Sequence, residues 1–294
     1  MKRILIIGGS MFVGRVFSIL ASETERFELH VVNRGRFPLG ELSNVTEYKC
    51  NRHSVPVLQR IIAAGEYDAV VDFCAESPGD VAPLIEALAP RIGQYVLISD
   101  AAVYDSSARK LRTEGDEIVA LHPKAQLETE LRKSATRNNV RYTILRPAMI
   151  YGPFNYMPRE SWFIEMIARR HTVPILTDAT ASFNFVYVRD VARAIMTLIG
   201  DERSYDEVFN LASAEQVTYT RLISDFERYN GGSFDTQEFT VRRATERGIA
   251  FPFPMRNDNL ISGERFAETF DFRYTPFAEG MEDTYKVFYQ MYIA

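Results

Sequence analysis

Short uninterrupted apolar runs alternate with segments of helical period through the first half of the chain. Ile4-Leu5-Ile6-Ile7 reads as a buried strand, a helix over 12–21 follows, and His30-Val31-Val32 is a second strand. A helix over 55–64, a strand at Ala69-Val70-Val71 and a helix over 81–88 come next. Tyr95-Val96-Leu97-Ile98 and Tyr142-Thr143-Ile144-Leu145 are further strands, with a helix over 127–135 between them. Apolar residues in unbroken succession, rather than alternating with polar ones, suit a parallel sheet covered on both faces. Strand–helix alternation at this spacing predicts a doubly wound α/β fold.

After Pro147 the texture changes. Tyr151-Gly152-Pro153-Phe154-Asn155-Tyr156-Met157-Pro158 is turn-rich and aromatic, and a helix over 162–170 follows. A helix over 191–199 and a strand at Val208-Phe209-Asn210-Leu211 return to the sheet-covering pattern. Beyond Thr218 come more helices, a strand near Phe239-Thr240-Val241 and the segment Phe251-Pro252-Phe253-Pro254. The expected organisation is a sheet domain from 1–150 with about 180–213, and a smaller cap from about 151–179 with 214–294.

Directly after the first strand, Gly8-Gly9-Ser10-Met11-Phe12-Val13-Gly14 opens the first helix. Strand, glycine turn and helix N-terminus together make an anion site, because unpaired backbone N–H groups and the helix dipole point at a diphosphate. Gly8 permits the sharp turn and Gly14 the close packing of helix on strand, with Ser10, Phe12 and Val13 beside them. Met11 stands where a glycine usually lets the backbone approach the ligand. At the end of the second strand, Asn33-Arg34-Gly35-Arg36 carries no acid to accept from a ribose 2′-hydroxyl. Arg34 and Arg36 suit a 2′-phosphate instead, which predicts NADP(H) over NAD(H); a solvated basic loop is the alternative.

Composition narrows the partners. Of 294 residues 46% are apolar and 25% charged, enough for a core without disulfides or metal. The net charge of −5 argues against a protein that works by neutralising phosphates, so no nucleic acid is expected. Cys50 and Cys74 read as reduced and buried, and His53 and His171 show no metal-ligand spacing, so no metal is expected. No apolar run reaches the roughly 18 residues of a membrane span, and the expectation is a cytoplasmic protein with no membrane partner.

Five blocks in order resemble the extended short-chain dehydrogenases/reductases of the NAD-dependent epimerase/dehydratase family. They are the glycine loop, Leu97 to Tyr104, Leu145 to Pro153, Phe185 to Ile195, and Val208 to Ser213. The large residue at Met11 resembles a subset of that group containing chloroplast stem-loop-binding proteins and bacterial relatives. The resemblance implies a Rossmann-type fold with a substrate-binding cap and a small-molecule substrate such as a nucleotide sugar. It leaves room for a homodimer through helices such as the one over 127–135. It also implies cofactor contacts from Asn51, Cys74, Ala75, Ser99, Gln126, Pro147 and Met149.

The family's chemistry uses a Tyr and a Lys four residues apart plus a Ser or Thr, so that a proton and a hydride move at one carbon. Here Asp100 falls at the Ser/Thr position, His122 at the Tyr position and Gln126 at the Lys position. No Tyr-x-x-x-Lys occurs in the chain. Three readings stay open. Asp100 and His122 could form a replacement acid–base pair; the protein could bind NADP(H) as a catalytically silent sensor or scaffold; or Tyr104 or Lys124 could have taken over. An RNA-binding role like that of the chloroplast relatives runs against the acidic balance. Tyr151, Asn155, Arg159, Arg242, Arg243 and Arg256 fall in segments that line the substrate cleft in this family, where rings could stack on a base and arginines could hold a diphosphate. Asp190 is expected to cap the helix that follows it.

Overall fold

The computed structural model describes residues 1–63, 65–105 and 111–294. Seven strands form the central sheet: β1 (Lys2–Ile7), β2 (Phe27–Asn33), β3 (Val45–Lys49), β4 (Tyr67–Asp72), β5 (Ile92–Ile98), β6 (Arg141–Pro147) and β7 (Glu207–Leu211). Their order is β7-β6-β5-β4-β1-β2-β3 and every pairing is parallel. The strand order reverses beside β1, and at such a switch point the carboxyl ends of neighbouring strands open a crevice.

The ten helices are α1 (Phe12–Ser22), α2 (Val55–Ile62), α3 (Ala82–Leu88), α4 (Pro123–Asn138), α5 (Glu160–Ala168), α6 (Val188–Leu198), α7 (Tyr219–Asn230), α8 (Val241–Glu246), α9 (Glu264–Phe270) and α10 (Phe277–Ile293) among the described residues. The apolar runs are continuous because successive side chains enter opposite cores. Ile4 and Ile6 pack with Val16 and Phe17 of α1 and Val191 and Ile195 of α6. Leu5 and Ile7 join Leu84 and Leu88 of α3 and Leu127 and Leu131 of α4. Fully burying one such side chain contributes about 1.5–3 kcal/mol.

The core under α1 and α6 runs on without a break into the C-terminal aromatic residues. Phe253 lies 5.2 Å from Phe183 and 5.2 Å from Phe185, and its backbone N–H donates to the Tyr219 hydroxyl at 3.0 Å. The Pro/aromatic segment is therefore a structural wedge. Two short parallel pairs stand apart from the seven-stranded sheet, Met149–Tyr151 with Phe185–Tyr187 and Val173–Leu176 with Thr236–Phe239.

Several boundaries differ from the periodicity. The helix expected over 55–64 runs over Val55–Ile62, and Ala64 lies outside the described residues. The strand near Phe239-Thr240-Val241 ends at Phe239, because the Thr240 hydroxyl accepts from Arg243 N and starts α8. Strand β3 left no sequence signal, since Val45-Thr46-Glu47-Tyr48-Lys49 is a half-exposed edge. Asp190 does not cap α6: its carboxylate accepts from Thr275 N at 2.7 Å and the Thr275 hydroxyl at 2.8 Å, fixing the approach to α10.

Candidate functional site

The turn after β1 is shaped by two glycines. Gly8 has φ +90°, and a Cβ on Gly14 would lie 2.5 Å from the Gly8 carbonyl oxygen. Met11 is the N-cap of α1 with extended backbone, φ −132° and ψ 148°, a conformation that needs no glycine. The first turn of α1 has neither a side-chain cap nor an acidic residue, so its amide donors keep their capacity for an anion. Uncapped amides at a helix N-terminus after a glycine turn are the donor set that a dinucleotide's diphosphate requires.

A cleft of about 850 Å³ opens at the carboxyl ends of β1, β2 and β5 and just beyond β4. It brings together Gly8, Ser10, Met11, Phe12, Val13, Gly14, Asn33, Arg34, Asn51 and Cys74. Asn33 itself is occupied: its Nδ2 donates to Glu47 at 2.7 Å and its Oδ1 accepts from Gly35 N at 2.7 Å. That tight turn, with Gly35 at φ +73°, presents Arg34 exposed on the cleft wall. Arg36 is exposed outside the wall, and Ala75 is fully buried behind it. Ser99, Gln126, Pro147 and Met149 also lie outside the lining, and the Ser99 hydroxyl donates to Glu128 at 2.7 Å.

Sequence reasoning missed Arg52. Its Nη1 and Nη2 each donate to Asp72 at 2.8 Å, Nη2 also donates to the Asp80 carbonyl at 2.8 Å, and Nη1 approaches the Cys74 sulfur at 3.3 Å. The Tyr95 hydroxyl completes Asp72 at 2.5 Å. Burial works against the Arg52 charge, but Asp72 more than restores it. Burial first, and the Asp72 charge second, push the Cys74 thiol up to about 11. A charge closing an apolar strand, Asp72 after Val70-Val71, was the available signal that a buried cation had to come from elsewhere.

The residues at the family's catalytic positions do not form the expected pair. Asp100 is exposed and accepts from Ala102 N at 2.7 Å, capping the short turn Ala101–Val103. His122 is the N-cap of α4, its Nδ1 accepting from Lys124 N at 3.2 Å. No hydrogen bond or ion pair joins Asp100 to His122, because each serves its own backbone cap. While Nδ1 accepts, the neutral ring carries its hydrogen on Nε2 and offers a donor there.

Tyr104 is buried, accepts from Arg146 Nη1 at 2.8 Å and donates to Asn210 Oδ1 at 2.8 Å. Burial raises its phenol above the ordinary value in spite of Arg146. Lys124 reaches across to the Ala75 carbonyl and lies 3.5 Å from Glu76, a residue of the cleft.

The substrate-side expectations also change. Tyr151 is buried among Phe185, Tyr187 and Phe277, Asn155 is buried against Glu160, and neither lines the cleft. Tyr151 ends a strand inside an aromatic cluster, whereas Asn155 is drawn inward by the Glu160 carboxylate. Arg256 is paired to Asp178 at 2.8 Å, Arg242 stands in solvent 3.7 Å from Glu246, Arg243 is exposed and Arg159 is half-buried. The loop delivers Tyr156 to the cleft instead. Among the described residues, no group of three or more His, Cys, Asp and Glu could hold a metal ion, and no helix is long and apolar enough to cross a membrane.

Comparison with known proteins agrees with this architecture. The chain is 28% identical to the chloroplast stem-loop binding protein of 41 kDa b of Arabidopsis thaliana, across 97% of this chain and 79% of that protein. It is 21% identical to the 2'-dehydrokanamycin reductase of Streptomyces kanamyceticus, across 83% and 71%. Its fold matches UDP-glucose 4-epimerase from Thermotoga maritima, solved with UDP-glucose, at TM-score 0.81, 20% identity and 98% and 99% coverage. It equally matches dTDP-glucose 4,6-dehydratase from Bacillus anthracis, solved with NAD, at TM-score 0.81, 18% identity and 99% and 97% coverage. The pattern of the NAD dependent epimerase/dehydratase family covers residues 4–212, and the chain belongs to that family.

Proposed function

We propose that this protein binds a nicotinamide dinucleotide, NADP(H) in preference to NAD(H), and acts on a nucleotide sugar or related small molecule. The observation that carries the reading is one cleft holding both the uncapped α1 N-terminus and the exposed Arg34. The amides would hold the diphosphate and Arg34 the ribose 2′-phosphate, by charge-assisted hydrogen bonds. Residues 1–150 with about 180–213 would carry the dinucleotide, and the rest would face the substrate.

When bound, the nicotinamide supplies hydride transfer at a carbon that bears a hydroxyl or keto oxygen. This chain's own contribution would be a donor at that oxygen. His122 Nε2 is free to provide one, since Nδ1 is engaged with Lys124 N. Lys124, two residues on, is held at the Ala75 carbonyl beyond β4 and 3.5 Å from Glu76 of the cleft, where it would set the local charge. The relative named as a reductase fits simple hydride transfer to a keto sugar, which asks less of proton relay than epimerisation does.

A second reading is a dinucleotide-binding protein without turnover, favoured by the absence of Tyr-x-x-x-Lys and by the locked Tyr104. Calorimetry with NADPH and NADH, followed by transfer of deuteride from labelled NADPH to a panel of nucleotide sugars and keto sugars, separates the two. Binding with transfer supports the enzyme and binding without transfer the silent protein. Absence of binding, with RNA retained at physiological salt, overturns both.

A further inference from the structure

Tyr156 lies between the Met149–Tyr151 strand and α5, and its ring closes the cleft wall beside Met11 and Phe12. The Phe12 and Tyr156 rings meet edge-on, 6.3 Å apart at 82°. Tyr156 is nevertheless 65% exposed while it lines the cleft, so its ring has surface left for a ligand to cover. Next to it, Phe154 lies 5.3 Å below the Arg15 guanidinium of α1, so the loop is anchored to the same helix whose N-terminus it covers.

The loop's shape is built in. Glu160 is fully buried, and its oxygens accept from Gly152 N at 3.1 Å and from Asn155 Nδ2 at 3.0 and 3.2 Å. Asn155 Oδ1 accepts in turn from Met157 N at 3.0 Å, so the residues on both sides of Tyr156 are tied to one carboxylate. Gly152 has φ +134° and no room for a side chain, with Val188 Cγ1 2.5 Å from where a Cβ would sit, and Phe154 has φ +66°. Burying a carboxylate on loop donors is costly, and an apolar residue would pack the core more cheaply. The arrangement makes sense as a device that fixes the loop.

We infer that Tyr156 is a ligand-contacting residue that closes the cleft over the diphosphate and adjoining ribose of a bound dinucleotide, and that Glu160 is the positioning residue that holds it there. This rests on the dinucleotide reading above. The closure governs release more than capture, because the ring covers a ligand already seated on the amides.

The test is stopped-flow release of NADPH, followed by its fluorescence, from wild type, Tyr156→Ala, Tyr156→Phe, Glu160→Ala and the Tyr156→Ala/Glu160→Ala double variant. Tyr156→Ala is expected to release NADPH about tenfold faster with association little changed, and Tyr156→Phe to behave as wild type. Glu160→Ala is expected to speed release as well, and the double variant to be no faster than Tyr156→Ala, since both changes remove one contact. Additive effects in the double variant overturn the positioning role of Glu160. Should Glu160→Ala not fold, Asn155→Ala takes its place in the same cycle. Wild-type release rates in Tyr156→Ala overturn this inference alone, and a wild-type protein that binds no dinucleotide overturns it together with the proposed function.

Discussion

Glu128 of α4 and Arg146 of β6 meet in a buried two-point ion pair, with Nη2 to Oε2 at 2.6 Å and Nε to Oε1 at 2.9 Å. It ties the helix carrying His122 and Gln126 to the strand running into Pro147. Burial works against the Arg146 charge, but Glu128 and the Tyr104 oxygen outweigh it. Removing one partner strands a buried charge, so Glu128→Ala is expected to cost about 3–5 kcal/mol in urea unfolding. Replacing Glu128 and Arg146 together with apolar residues should cost less than Glu128→Ala alone. A double variant at least as unstable as the single one would show that the pair stabilises the fold outright.

Arg34 is the group expected to distinguish the two dinucleotides. Charge-assisted bonds from it to a 2′-phosphate would be worth about 1.5–3 kcal/mol, roughly 10- to 100-fold in affinity. Arg34→Ala should weaken NADPH by that factor in calorimetry and leave NADH nearly unchanged. Equal losses for both cofactors would show that Arg34 does not read the phosphate.

Cys74 lines the cleft against the glycine turn, and its thiol is pushed up to about 11. Thiolate is the reactive form, so alkylation of the folded protein at pH 8 should run about two orders of magnitude slower than after unfolding in urea. NADPH should slow it further by covering the site. Peptide mapping after timed iodoacetamide treatment reads both effects, and rapid labelling of half-buried Cys74 in the folded protein would contradict the raised thiol.

Asp80 fixes the loop at the cleft's edge by accepting from Glu76 N at 2.8 Å and Ser77 N at 3.0 Å. Burial works against its charge, but those two N–H groups, with Arg52 and His53, hold its carboxyl below the ordinary value. A depressed carboxyl contributes stability above its unfolded pKa of about 3.9 and loses that contribution as pH falls through the folded value. Asp80→Asn should therefore be less stable than wild type at pH 6, and the gap should close on acidification below about pH 4. Thermal midpoints across that range check the sign; a gap that widens toward low pH would reverse it.

The sequence by itself determined the parallel sheet, the helices on its two faces and the glycine turn that opens α1. These follow from short-range causes: unbroken apolar runs that must be covered twice, a helical period, and a glycine at 14 where a side chain would strike the Gly8 carbonyl. Tertiary structure alone decided that β3 pairs at the edge, that Arg52 answers Asp72 across 20 residues, and that Asp100 and His122 each turn to a local backbone cap. It also sent Tyr151 and Asn155 inward while leaving Tyr156 at the cleft. Residues adjacent in one loop cannot be sorted by pattern, because their directions are set by which distant carboxylate, ring or helix end the folded chain places beside them.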